Sequence, residues 1–263
     1  MRFCVLGSGS RGNCTYIEAG ETCLLIDAGF SGKEIVRRLA LIGRSPKQLT
    51  AILVTHEHND HISGVGVLSR RFKLPVYANQ RTHLAAERRV GKLFDLREFI
   101  TGQRFDLGGL EVHPFAISHD TADPVGFVVD SGHLRVGYCT DTGRVTKLMA
   151  HLLGSCQGLI LEANHDPGML KDGPYPLPLK QRVGSSRGHL ANADAASFAR
   201  QLDGGPLQTL IFAHLSETNN HPDLVAEEVR NTFNDHSTRP EIILATQSGP
   251  CPFIDLSLIS KSL

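Results

Sequence analysis

The chain has no net charge: 27 lysines and arginines stand against 27 aspartates and glutamates in 263 residues. No long-range field draws it to nucleic acid or to a membrane, so any polyanion it handles must be held by a local patch or by metal ions. No apolar run comes near the roughly 18 residues of a membrane span, and no membrane partner is expected. The opening Met1-Arg2-Phe3-Cys4-Val5-Leu6-Gly7 lacks the charged head, apolar core and small-residue cleavage site of a secretory signal. The six cysteines are scattered, with no C-x-x-C pair, which leaves reduced core thiols in a cytoplasmic protein as the expectation. There is no clear internal repeat and no linker. With 41% hydrophobic and 21% charged residues, the composition fits one soluble globular domain over 1–263.

The first loop, Gly7-Ser8-Gly9-Ser10-Arg11-Gly12, follows the strand-like Phe3-Cys4-Val5-Leu6 and matches G-x-G-x-x-G. A dinucleotide fingerprint must open a helix, yet Cys14-Thr15-Tyr16-Ile17 reads as another strand. A P-loop fails as well, because Asn13-Cys14 stand where Lys-Ser/Thr is needed. Two readings remain open: a tight strand-to-strand connection, or a turn in which Ser10, Arg11 and Asn13 touch an anion.

The densest chemistry lies in Thr55-His56-Glu57-His58-Asn59-Asp60-His61, directly after the apolar run Ala51-Ile52-Leu53-Val54. A strand ending there places His56, His58, Asp60 and His61 on the loop at its carboxyl end. Imidazoles and carboxylates without thiolate suit zinc, manganese or iron, and the mixture is typical of dinuclear hydrolytic centres. One strand earlier, Asp27 closes Cys23-Leu24-Leu25-Ile26 and is placed to orient a ligand imidazole. Ser31-Gly32-Lys33-Glu34 reads as a capping box opening a helix that Gly43 ends. Hairpin signals follow from Phe105 to Cys139. Taken alone, His119 and Asp141 read as solvated loop residues, whereas beside a ligand set short of a third donor per ion each completes it. His214 follows the strand Leu210-Ile211-Phe212 as His56 follows its own.

The segment 164–188 carries four prolines together with Lys171, Lys180, Arg182 and Arg187, and reads as an irregular, basic, substrate-gripping loop or a disordered flap. Ser185, Ser186, Arg187 and His189 precede a helix over Asn192 to Leu202 with Asn192 as N-cap. Hydroxyls, an arginine and a histidine beside a helix N-terminus are what a phosphate needs; a solvated helix start is the alternative.

In these motifs and their order, Asp27, the His56 to His61 loop, His119, Asp141 and His214, the chain resembles the metallo-β-lactamase superfamily. That resemblance implies an α/β fold, a four-layer αββα sandwich, with a dinuclear site at one edge. It assigns His56, His58 and His119 to one ion, Asp60, His61 and His214 to the other, and Asp141 to both. The missing export signal, the short stretch after His214 and the short interval from Asp141 to His214 disfavour secreted β-lactamases, glyoxalase II and β-CASP nucleases respectively. Glu162-Ala163-Asn164-His165-Asp166, Gly173-Pro174-Tyr175-Pro176, Leu179-Lys180-Gln181-Arg182 and Gly188-His189-Leu190-Ala191-Asn192, with the first glycine loop, are similar to the YycJ/WalJ-like family of bacterial metallohydrolases, described as DNA exonucleases. Ribonuclease Z and PhnP-type phosphodiesterases are more distant resemblances.

The resulting expectation is a phosphodiester hydrolase with two divalent ions per chain, zinc or manganese with iron as a third option. It would act on nucleic acid, DNA before RNA, with Asp60 and His189 catalytic and His189 protonating the leaving alkoxide. Ser10, Asn13, Lys180, Arg182, Ser185, Ser186 and Arg187 are its candidate phosphate contacts. A cyclic-nucleotide or other small phosphodiesterase is the alternative; a thioester or lactone hydrolase and a metal-bound binding module stand further off. A homodimer is compatible with all of these.

Overall fold

Continuous apolar runs become strands buried on both faces, and they are laid down in two groups. The first group is β1 (Arg2–Gly7), β2 (Cys14–Ala19), β3 (Thr22–Ile26), β4 (Ala51–Leu53), β5 (Pro75–Asn79) and β6 (Asp95–Phe99). The second is β7 (Phe105–Leu107), β8 (Leu110–Ala116), β9 (Val125–Asp130), β10 (Arg135–Cys139), β11 (Gly158–Glu162), β12 (Thr209–Ala213) and β13 (Glu241–Leu244), after which β14 (Ile254–Asp255) returns to the first. This computed structural model describes residues 1–233 and 240–259; the remainder of the expected 1–263 domain lies outside the described residues. Among the described residues the strands form two seven-stranded sheets, ordered β14-β1-β2-β3-β4-β5-β6 and β13-β12-β11-β10-β9-β8-β7.

Three apolar layers follow from this arrangement. Phe3, Ile17, Ile26, Phe127, Tyr138 and Ile211 fill the space between the sheets. Outside the first sheet, Tyr16, Leu25 and Val76 pack with Ile35 and Leu39 of α1 (Gly32–Leu41) and Leu68 of α3 (Val65–Phe72); the short α2 (Asn59–Ile62) precedes α3, and α4 (Gln80–Val90) adds Ala86. Outside the second sheet, Leu159, Leu161 and Phe212 meet α5 (Lys147–Leu153) through Met149, α8 (Asn192–Gln201) through Phe198 and α9 (Pro222–Thr232) through Val225. The order helix, sheet, sheet, helix is the expected αββα sandwich. Truncating a buried aromatic such as Phe127 or Phe198 to alanine costs about 3 to 5 kcal/mol.

Several local expectations are corrected. The segment 164–188 is not irregular: it folds as α6 (Pro167–Asp172) and α7 (Leu177–Val183). Pro167 and Pro178 sit in the first turns, where a missing N–H costs nothing, and Asp166 accepts from Met169 N at 2.7 Å as a cap. Asn192 is not an N-cap. It lies inside the first turn after Ala191, and its amide exchanges hydrogen bonds of 2.8 and 2.9 Å with Asn220. Only half of the Ser31 capping box forms, because Glu34 turns its carboxylate to Arg37 and Arg38. Strand β6 went unread, since Asp95-Leu96-Arg97-Glu98-Phe99 is an edge strand with little burial pattern.

Register brings the chemistry to one edge. Strands β3 and β4 pair in parallel with Ile26 opposite Leu53, while β10, β11 and β12 run parallel with Cys139 opposite Leu161 and Glu162 opposite Ala213. The carboxyl ends of these five strands carry Asp27, Thr55-His56, Asp141, Glu162 and His214.

Candidate metal centre

Four non-glycine residues in the described chain hold positive φ, and three belong to this edge: Asp27 at 59°, Asp141 at 58° and His214 at 57°. Each conformation costs roughly 1 to 3 kcal/mol and survives only where the surroundings impose it. Here the strand ends impose it. Asp27 N is tied to Leu53 O at 2.8 Å, and His214 N donates to Ser8 Oγ at 2.8 Å. Close approach of three loops adds a further constraint. Asn13 N donates to Asp60 O and Gly29 N to Asn13 O, and a Cβ on Gly29 would lie 1.6 Å from Asp60 O, so only glycine fits there.

The imidazoles are held from behind by one nitrogen each. His61 Nδ1 lies 2.7 Å from Asp27 Oδ2, His56 Nδ1 2.9 Å from Thr55 Oγ1, His119 Nδ1 3.1 Å from Gly188 O, and His214 Nδ1 2.8 Å from Glu162 Oε1. Each Nε2 is thereby left to face inward. His58 is the exception, presenting Nδ1, which lies 3.3 Å from His119 Nε2. Donor atoms of His56, His58 and His119 fall within 4.8 Å of one another, as do those of Asp60, His61 and His214. Asp141 stands between the two groups: its oxygens are 3.3 Å from His61 Nε2, 3.5 Å from His214 Nδ1 and 3.9 Å from His119 Nε2. Among the described residues, His56 Nε2, His214 Nε2 and Asp141 Oδ2 are buried without a hydrogen-bond partner. Orphaned buried donors and acceptors are costly unless a ligand completes them, so this nitrogen and oxygen set fits divalent metal ions.

A rival grouping of Asp141, Glu162, His189 and His214 also lies within metal-binding range. It is the weaker one, because Glu162 is already saturated. Its Oε1 accepts from His189 Nδ1 and His214 Nδ1, both at 2.8 Å, and its Oε2 from Thr142 N at 3.0 Å and Leu190 N at 2.9 Å. Fully buried, it acts as an orienting carboxylate, the partner of His189 and His214 that Asp27 is to His61. Sequence reasoning gave Glu162 no role. The available signal was its position at the end of the apolar Leu159-Ile160-Leu161, the placement that singled out Asp27.

Electrostatics divide the histidines. Burial lowers His56, His58 and His119, which are therefore neutral and ready to ligate. Burial also opposes charge on His61 and His214, but neighbouring carboxylates override it. Asp141, Asp60 and Asp27 raise His61 far above its ordinary value, and the nearby carboxylates of Asp141, Asp60 and Glu162 push His214 up to about 10. In the metal-free protein these two rings therefore favour the protonated form, which offsets part of the surrounding negative charge. Metal must displace their protons, so uptake is expected to release about two protons and affinity to rise with pH across the neutral range. Calorimetry in buffers of different ionisation enthalpy reads the release directly, and heats independent of buffer would refute it.

The candidate ligands and Asp27 thus converge, and Ser10, Arg182 and His189 line a cavity of about 350 Å³ in front of them, with Tyr175 and Asn219. Arg182 reaches it while paired with Asp120. Other expected phosphate contacts do not line it. Asn13 is buried, its Oδ1 accepting from Ser8 Oγ and Gly9 N to brace the glycine loop, which makes the tight-connection reading of that loop the better one. Lys180 faces the opposite side of α7 and donates to Lys171 O. Ser185 Oγ donates to Arg182 O, Ser186 O accepts from Ser118 Oγ, and Arg187 reaches back to His119 O at 3.5 Å. Ser186 and Arg187 thus brace the loop carrying His119, while Ser185 closes the end of α7.

Comparison with known proteins agrees with this geometry. The model of the beta-lactamase superfamily domain matches residues 22–215. The chain is 39% identical over 228 residues to exodeoxyribonuclease WalJ of Streptococcus pneumoniae, covering 85% of each chain. It is 37% identical over 255 residues to exodeoxyribonuclease YycJ of Bacillus anthracis, covering 92% of this chain and 97% of that one. Among solved structures it superposes on the metallo-beta-lactamase fold protein YhfI of Bacillus subtilis with a TM-score of 0.72 at 17% identity, over 95% and 99% of the two chains. Strand-end histidines and carboxylates, the αββα layers and these matches together place the chain in the metallo-β-lactamase superfamily, in the branch that holds WalJ and YycJ.

Proposed function

We propose that this protein is a phosphodiester hydrolase that uses two divalent metal ions to remove nucleotides from DNA ends. The observation that carries the reading is the pair of inward-facing donor groups sharing Asp141, next to a histidine that is not needed as a ligand. His56, His58 and His119 would hold one ion, Asp60, His61 and His214 the other, with Asp141 reaching both; the nitrogen and oxygen donors suit zinc or manganese. When bound, such ions supply Lewis-acid charge for an anionic phosphodiester and a nucleophile at neutral pH.

The chain's own residues provide the rest. Nδ1 of His189 is fixed by Glu162, so Nε2 is the atom that would carry a proton to the leaving alkoxide. Asp60, its side chain 23% exposed, borders the cavity, where its carboxylate would help hold an ion and accept a hydrogen bond from an attacking water. Arg182 is available to exchange Asp120 for a phosphate oxygen. DNA is preferred to RNA because the similar proteins are named exodeoxyribonucleases. Six free thiols support a cytoplasmic location.

Single- and double-stranded DNA, RNA, a cyclic phosphodiester, a thioester and a β-lactam, assayed with manganese and with zinc, test the reading. Oligonucleotide cleavage is expected, and it should fall with salt only gently, with a log–log slope of about −1 to −2, because few cations border the cavity. Rapid thioester or β-lactam hydrolysis without oligonucleotide cleavage would overturn it.

A further inference from the structure

A second cavity, of about 460 Å³, lies on the other side of α7. The helix works as a partition: Leu179, Arg182 and Val183 face the metal centre, whereas Leu177, Lys180 and Gln181 face the second cavity. His189 borders both. The volume is within the roughly 300 to 1,000 Å³ of small-molecule sites.

Its lining is mixed in a specific way. Pro167, Leu170 and Leu177 make an apolar wall, and Leu177 is 66% exposed, a large aliphatic side chain left uncovered at the mouth. Lys171 and Lys180 both line the cavity, and Lys180 Nζ is held at its edge by donating to Lys171 O at 2.6 Å. Asp194, on the α8 side, offers an acceptor. At the base sits His165, only 4% exposed, whose Nδ1 is buried and has no hydrogen-bond partner among the described residues. A buried polar nitrogen left unpaired beside an open cavity points to a ligand that completes it. An inorganic anion would leave the apolar wall without use, and a purely apolar ligand would leave His165 unpaired and the charge of the lysines unused. A nucleotide unit has all three parts: a ring face for the leucines, polar edges for His165 and Asp194, and a phosphate for the lysines.

The position of His189 orients that unit. A proton donor must touch the leaving oxygen, so whatever is attached to that oxygen lies on the donor's side of the scissile bond. We propose that the second cavity receives the nucleotide on the leaving side of the cleaved phosphodiester, with its ring against Leu170 and Leu177, His165 bonded to its polar edge and its outer phosphate beside Lys171 and Lys180. The inference rests on the nuclease reading above and adds a subsite to it.

Binding of deoxyadenosine 5′-monophosphate to the metal-loaded full chain tests it, with calorimetry for affinity and inhibition of oligonucleotide cleavage for mode. Leu177→Glu and His165→Phe are expected to weaken binding tenfold or more with metal content unchanged, and inhibition should be competitive. Leu177 is at the surface, so its variant keeps the test decisive should the buried His165→Phe fail to fold. Leu41→Glu, a similarly exposed leucine at the end of α1, should have no effect. Oligonucleotide cleavage combined with mononucleotide binding indifferent to Leu177→Glu, or with non-competitive inhibition, overturns the subsite alone. Leu177-dependent binding in a protein that cleaves no oligonucleotide overturns the nuclease reading and leaves a nucleotide pocket.

Discussion

Asp141→Asn is expected to lower phosphodiester turnover by about 10³-fold or more and to leave the protein short of metal. The side chain is 1% exposed and lies within 3.3 to 3.9 Å of nitrogens of His61, His214, His189 and His119. Asparagine keeps the shape and tolerates the positive φ of 58° at this position. What it removes is the one charge shared by both donor groups. Losing a ligand charge of this kind forfeits about 4 kcal/mol of stabilisation, which is about a thousandfold in rate. The same change leaves His61 and His214 with fewer carboxylates around them, so both should give up protons more readily and the release on metal uptake should shrink. Elemental analysis and single-turnover rates read the outcome. A variant holding full metal and turning over near the wild-type rate would remove Asp141 from the centre.

The ligand loop was legible because its chemistry is local. Four donors within six residues after a buried strand have few other uses, and the parallel register of β3 and β4 brings Asp27 to Thr55 and His61 as the sequence order suggested. Two sets of strands with helices between them were legible for the same reason, since apolar runs of strand length alternate with amphipathic helices, whereas the four-layer αββα order was what the superfamily resemblance implied. Glu162 was harder to read. Its role depends on β11 lying between β10 and β12, which places one carboxylate beside His189 and His214, 27 and 52 positions away in the chain. The basic segment misled for a physical reason. Proline clusters read as irregular structure, yet Pro167 and Pro178 start two helices, and a helix sends successive side chains to different sides. Lys180 and Arg182, two residues apart, therefore face different cavities. Ser185, Ser186 and Arg187 suit a phosphate cradle by type, but Ser186 O bonds Ser118 and Arg187 reaches His119 O, contacts to the His119 loop that no sequence spacing shows.

His189→Ala is expected to retain metal while losing about 10²- to 10⁴-fold in kcat on an oligonucleotide. The ring borders the cavity, is 19% exposed, and has Nδ1 committed to Glu162, so the atom available to substrate is Nε2. Proton donation matters most for an alkoxide, a poor leaving group at neutral pH, and little for p-nitrophenolate, which departs unaided. Loss on an activated aryl phosphodiester should therefore be far smaller than on DNA. Glu162→Gln tests the placement of the ring. One carboxylate oxygen of Glu162 meets both His189 Nδ1 and His214 Nδ1, and the substituted amide leaves the two rings competing for a single acceptor, so turnover on DNA should fall. Because Glu162 also holds His214, metal content must be measured in that variant alongside the rate. Equal losses on DNA and on the aryl diester in His189→Ala would make His189 a positioning residue that binds a phosphate oxygen, and the proton donor would have to be sought elsewhere in the cavity.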